Sequence, residues 1–148
     1  MEVWFMTVPG DMAALISHGF SEIYYHCHPP FTVPLTHQAV RALQFIGMNG
    51  VVTVSDVAQH LSCAHNTASE VLRRLDEKGL VSRQRSREDE RTVQISLTES
   101  GHHSLAEHTG LDTEKLAHCL NKMSVDEREQ VANGFEILRK FMKSVGEE

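Results

Sequence analysis

Residues 24–30 read YYHCHPP, a cysteine between two histidines, with two tyrosines before and two prolines after. Imidazole and thiolate together suit zinc better than magnesium or calcium. Three consecutive residues at a helix end point in different directions, so His26, Cys27 and His28 would not all grip one ion. Partners must come from elsewhere. The chain has ten histidines in 148 residues. His37 follows the prolines, and GHHSLAEH (101–108) sets His103 and Glu107 four residues apart, on one helical face. His108 and Asp112 share another face by the same rule. Glu22 adds an oxygen donor. Thiol chemistry is a second option at Cys27, but a reactive thiolate needs a cationic neighbour. His26 or His28 is the nearest source.

Enzymatic chemistry has less to stand on. GxSxG, a P-loop, HExxH and GxGxxG do not occur, and no motif positions a nucleophile for a histidine to activate. The protein is not expected to be an enzyme. Cys27, Cys63 and Cys119 are odd in number and lack CxxC spacing, which points to a reducing cytoplasm. No apolar run reaches the roughly 18 residues of a membrane span. The acidic start lacks the basic segment of a signal peptide.

A third chemistry is electrostatic. Net charge is −6, yet Arg73, Arg74, Lys78, Arg83, Arg85, Arg87 and Arg91 gather half of the 14 Lys and Arg into residues 73–91. A local basic patch matters more to a polyanion than the net charge of the whole molecule.

The elements that would hold these groups follow from periodicity and caps. A first helix is predicted over 11–27, capped by Asp11 and ended before Pro29. Thr36 caps a second, through Val40, Leu43, Phe45 and Ile46, which GMNG (47–50) stops. VVTV (51–54) is β-prone. Ser55 caps a short third helix, and Thr67 with Glu70 has capping-box spacing for a fourth. That helix buries Val71, Leu72 and Leu75 and stops at Gly79. LVSRQ and TVQISLT flank the polar RSREDER as a hairpin. A long helix from about Glu99 to Met123 is weakened at Gly110 by roughly 1 kcal/mol relative to alanine. Ser124 and Glu127 form another capping box before a last helix. Its Val131, Phe135, Leu138, Met142 and Val145 make a heptad-like stripe. Cys63 and Cys119 fall among apolar positions, as core or, for Cys119, dimer interface.

Two short helices, a strand and a charged hairpin make a winged helix-turn-helix. The second helix of the pair presents its N-terminal side chains to base edges in the major groove. His65, Asn66, Thr67, Ser69 and Glu70 would face bases, and Arg73 and Arg74 would flank the backbone. Arg85, Arg87 and Arg91 would arm the wing for phosphates or the minor groove. The C-terminal stripe favours a homodimer.

The chain resembles the MarR family of bacterial repressors in VSDVAQHL (54–61), NTASEVLRRLDEKGLVSR (66–83) and DERTVQISLTESG (89–101). The last fits the family's wing pattern: Asp, any residue, Arg, then a strand ending Leu-Thr with Gly three residues on. The resemblance implies a mainly α fold with a small β-hairpin wing. Residues 36–98 would be the DNA-binding domain, and residues 1–35 and 99–148 a helical dimerisation region from both termini. It implies a homodimeric cytoplasmic repressor on a pseudo-palindromic operator of double-stranded DNA. Asp89 would pair with Arg91 to hold the wing tip, and Arg91 would enter the minor groove. The chain departs from relatives at Glu70, whose carboxylate can accept from cytosine N4 but repels phosphate. Glu88 and Glu90 dilute the wing's charge.

Three effectors follow from the resemblance. Some relatives respond to zinc, with ligands from the first, second and fifth helices. Here Cys27, His37 and Glu107 would be one donor cluster, and His108 would join Glu22, Gln38 and Asp112 in a second, poorer one. Others sense peroxides through a first-helix cysteine that lies earlier and deeper than Cys27. The commonest effector is a small phenolic ligand, for which Met12, Ile16, Phe20, Tyr24, Phe31 and Phe45 would line a crevice. No cofactor is required. A winged-helix protein-interaction module without a DNA role is the alternative class.

Overall fold

The protein was analysed as a computed structural model, which describes residues 9–146. Contacts divide these residues into two units, one ending at Leu111 and one beginning at Asp112. The first holds helices α1 (Pro9–Cys27), α2 (His37–Asn49), α3 (Val54–Leu61), α4 (His65–Glu77) and α5 (Glu99–Thr109). It also holds strands β1 (Val52–Thr53), β2 (Val81–Arg85) and β3 (Val93–Leu97), in the antiparallel order β1-β3-β2. The second holds α6 (Thr113–Asn121) and α7 (Val125–Val145). Among the described residues no helix is long and apolar enough to cross a membrane.

The core lies where α2, α3 and α4 meet the sheet. Ala39, Ala42, Leu43 and Ile46 recur at helical spacing along α2 and are buried, as are Ala68, Leu72 and Leu75 along α4. Leu80, Val81 and Ile95 close the cluster from the hairpin, and Cys63 packs against its edge. Cys119 is exposed in the single chain, which removes it from any core.

The caps explain most boundaries. Thr36 accepts from the Ala39 N–H, as expected, and Gly50 at φ +81° turns the chain out of α2. The third helix is capped by Thr53, not Ser55. Thr53 and Asp56 form the reciprocal box, with Ser55 already inside the helix. The expected Thr67–Glu70 box is absent as well. The helix starts three residues earlier behind Ala64, which has no side-chain oxygen to cap it, and Glu70 turns to arginines instead. Asp11 lies in the first turn of α1, which starts at Pro9.

The long helix predicted from Glu99 to Met123 is two. Gly110 adopts an extended conformation, and Asp112 then caps α6 by accepting from the Lys115 N–H at 3.0 Å. The Ser124–Glu127 box stands as read.

One junction ties the hairpin to the helices. Gly79, at φ +73°, reverses the chain after α4. The Leu80 carbonyl accepts from the Thr98 N–H at 3.1 Å, and the Thr98 hydroxyl donates to the Gly79 carbonyl at 2.6 Å. The same hydroxyl oxygen accepts from the Gly101 N–H at 3.0 Å, capping α5. Gly101 is buried so closely on Leu80 that a Cβ there would collide with the Leu80 carbonyl oxygen. Backbone cannot swing aside as a side chain would. Gly101→Ala is therefore expected to destabilise the fold by about 3 kcal/mol. Urea unfolding would show a lowered midpoint with an unchanged m-value, and a shift below about 0.5 kcal/mol would disprove the close approach.

Candidate nucleic-acid interface

The first turn of α4 is open. No side chain caps it, and His65, Asn66 and Thr67 are exposed, with Ser69 and Glu70 half-buried behind them. Further along, charge is cancelled within the helix. Arg73 donates to Glu70 through Nε and Nη2, both at 2.8 Å, and reaches Glu77 through Nη1. Arg74 Nε donates to the same Glu70 at 2.9 Å. The hydrogen bonds from Arg73 and Arg74 hold the Glu70 carboxyl down at about 2. Glu70 thus remains an anion with both oxygens occupied, and facing a cytosine would require it to release an arginine.

The wing is charged differently. Ser86 is buried at its base and accepts from the Glu88 and Asp89 N–H groups through Oγ. The Ser86 N–H donates to the Thr92 carbonyl at 2.8 Å, closing the tip. Asp89 accepts from the Arg91 main-chain N–H at 3.0 Å and from the Thr92 hydroxyl at 3.1 Å. The expected Asp89–Arg91 pair is therefore side chain to main chain, and the Arg91 guanidinium extends free of it. Among the described residues no carboxylate lies within ion-pair distance of Arg83, Arg85, Arg87 or Arg91. Arg85 reaches the Glu90 carbonyl at 3.4 Å, a weak contact.

A second cluster joins the α1–α2 connection to α5. The Phe31 ring stacks on His108 with centroids 4.0 Å apart. His108 Nε2 lies 2.8 Å from the Val33 carbonyl, which can only accept, so that nitrogen carries the proton. The Tyr24 hydroxyl contacts the His108 carbonyl at 3.4 Å. Glu107, buried, accepts from the Thr32 N–H at 2.9 Å and the Thr32 hydroxyl at 2.8 Å. His103 Nε2 lies 3.1 Å from the other Glu107 oxygen, as the i,i+4 spacing predicts.

This geometry bears on the expected metal donors. Glu107 and His108 already serve Thr32, His103 and Val33. Cys27 is buried and His37 is exposed at the start of α2. Among the described residues no three His, Cys, Asp or Glu side chains come together as a metal group. As arranged, the four donors do not fit a zinc ion. Of the expected crevice, Tyr24 and Phe31 reach the cluster and Phe20 stacks on Tyr24 at 6.3 Å. Met12 and Ile16 are exposed on α1, and Phe45 stacks on His60 instead. Thr32 and Val33 belonged to no sequence motif.

A winged helix-turn-helix with this wing pattern is matched directly by known proteins. The sequence model described as the MarR family covers residues 33–92. Residues 33–92 are thus MarR-like in sequence. It is 32% identical over 97 residues to the organic hydroperoxide resistance transcriptional regulator of Bacillus subtilis, spanning 66% of this chain and 65% of that one. It is 27% identical to an HTH-type transcriptional regulator of Bacillus subtilis called YfiV, over 99% of this chain and 87% of that protein. Among solved structures, a variant of S. aureus MepR bound to an oligodeoxyribonucleotide superposes with a TM-score of 0.54 at 23% identity. That match covers 93% of this chain and 98% of the MepR chain, and it carries the fold. Both of these Bacillus subtilis relatives are named as transcriptional regulators.

The cluster on α5 has a pH signature. The Thr32 N–H, then its hydroxyl and His103, hold the Glu107 carboxyl below its ordinary 4.5. A depressed folded value means that the contribution is complete above the unfolded value and is lost as pH falls through the folded one. Glu107→Gln cannot titrate. The stability gap between wild type and this variant should therefore narrow as pH drops below 4.5. Urea midpoints measured across that range test this; parallel curves would show that Thr32 does not hold a carboxylate.

Proposed function

We propose that the protein is a homodimeric repressor that binds a pseudo-palindromic DNA operator in the cytoplasm. The observation that carries the reading is the set of wing arginines, Arg85, Arg87 and Arg91. Among the described residues they stand without carboxylate partners, while Arg73 and Arg74 are neutralised. Three uncompensated guanidiniums beside an open recognition-helix turn are suited to phosphates and a narrow minor groove. Asn66 and Thr67 would read bases, with His65 and Ser69 on the side of the helix toward the wing and Glu70 freed only where a cytosine compensates for the broken arginine bonds. Arg73 and Arg74 would flank the backbone.

Dimerisation rests on faces that a single chain leaves uncovered. On α1 these are Leu15, Ile16, Phe20 and Ile23; on α7 they are Val131, Phe135, Leu138, Met142 and Val145, all exposed. Stripes of this kind mark a partner surface. In this assignment residues 1–35 and 99–148 serve dimerisation and residues 36–98 serve DNA. A two-fold dimer places its recognition helices about one turn of DNA apart, roughly 10 bp.

For the effector, the aromatic cluster favours a small phenolic ligand over zinc. A planar ring could insert against Phe31 and His108, and its hydroxyl could take the bond of the Val33 carbonyl. Such a ligand would shift the population between DNA-competent and incompetent separations of the recognition helices.

Duplexes selected from a random-sequence pool should contain inverted half-sites at that spacing. On the selected duplex, Arg91→Ala should weaken binding and reduce the slope of log affinity against log salt by about 0.9 for each phosphate it no longer neutralises. Binding that ignores salt would favour the protein-interaction module. Unchanged binding by the variant would remove the wing from the interface.

A further inference from the structure

The arginine that the interface has not yet used is Arg83. In the antiparallel hairpin, Val81, Arg83 and Arg85 share one face of β2 and stand opposite Leu97, Ile95 and Val93. Val81 and Ile95 on that face are buried in the core. Arg83 is therefore an inward-facing residue placed where the alternation calls for an apolar one. It is half-buried, and its Nε is shielded from solvent with no hydrogen-bond partner. A shielded donor of a charged group left unsatisfied is costly, so it signals a missing acceptor.

The space in front of it is a groove of about 410 Å³ between the recognition helix and the wing. Val54 and Val93 form its apolar walls, and His65, Ser69, Arg83, Gln84 and Arg85 its polar ones. Among the described residues no carboxylate lines it. His65 and Ser69 are four residues apart on α4, so they face the groove together. Two guanidiniums on one strand face repel each other unless an anion sits between them. The larger groove of about 900 Å³, between α2 and α4, differs in being lined by Glu70 and Glu77.

We propose that this groove seats one backbone phosphate of the bound duplex, held by Arg83 and Arg85 from the wing and by Ser69 and His65 from the recognition helix. The guanidinium fork matches the two non-bridging oxygens. Arg83 is the residue whose Nε is satisfied only when DNA arrives. The seat clamps helix and wing to the same phosphate and so fixes how deeply the helix enters the groove. This inference rests on the DNA-binding reading above and adds to it a residue outside the wing tip.

The test combines Arg83→Gln and Arg83→Lys with a duplex in which single phosphates are replaced by neutral methylphosphonates. The wild type should lose about tenfold in affinity at one position in each half-site. Arg83→Gln should bind about tenfold more weakly to selected and mixed-sequence duplexes alike, with a smaller salt slope. At that one position it should be indifferent to the methylphosphonate. Arg83→Lys, which keeps the charge and the fold, should show an intermediate penalty there. If wild type binds DNA but both variants respond to every methylphosphonate as wild type does, the seat is overturned and the DNA reading stands. If inorganic phosphate competes with the duplex for wild type and Arg83→Gln equally, Arg83 holds no phosphate and the proposal fails. If wild type binds no duplex at any salt concentration, the DNA reading itself falls, and the seat with it.

Discussion

The first unit is organised around one close approach of backbone to backbone. Three segments meet where the Leu80 carbonyl faces Gly101 and the Thr98 N–H: the turn that ends α4, the return strand of the wing and the first turn of α5. Thr98 uses one hydroxyl twice, donating to Gly79 and accepting from Gly101. The arrangement satisfies the polar groups that a helix start and a tight turn would otherwise leave open. It also fixes the recognition helix, the hairpin and α5 to a common point. Hydrophobic burial supplies the stability, with Leu72, Leu75, Leu80 and Ile95 at its centre. The junction decides the geometry in which that burial occurs.

Charge is the second organising constraint, and its placement is more informative than its sum. On α4 the acids sit three and four residues from the arginines, so Glu70 and Glu77 absorb Arg73 and Arg74. On the hairpin the acidic residues lie at the tip, where Asp89 is engaged by the main chain and the Thr92 hydroxyl. Among the described residues Arg83 and Arg85 of β2 form no ion pair with them. A net charge of −6 is therefore compatible with a strongly cationic wing.

The architecture was largely readable from the sequence because local signals agreed with one another. Apolar periodicity located the helices, Gly79 and Gly50 marked turns at positive φ, and the Ser124–Glu127 box was in place. The errors were local competitions. Thr53 and Ser55 flank Val54, and only Thr53 has an acid three residues on to complete the box. Thr67 and Glu70 have the spacing of a box, but two arginines one turn later offer Glu70 charged partners, and the helix had already begun. Gly110 weakened a helix that the Asp112 cap allowed to restart. What was out of reach was non-local. Thr32 meets Glu107 across 75 residues of chain, and no spacing rule connects them. For the same reason spacing could not show that Glu107 and His108, two of the expected zinc donors, are engaged by Thr32 and Val33. Arg83 was countable in the basic run, yet its inward direction required the register against Ile95.

Gly101 also sets a length scale. From Gly101 to His108 is seven residues of α5, about 10 Å of helix. Its first turn is pressed against the Leu80 carbonyl, and the Phe31–His108 stack lies at the other end of this arm. A tilt of about 5° over that arm moves the His108 end by roughly 1 Å. Ring stacking at one end and the anchor of the recognition helix and wing at the other are thus joined by a single short helix.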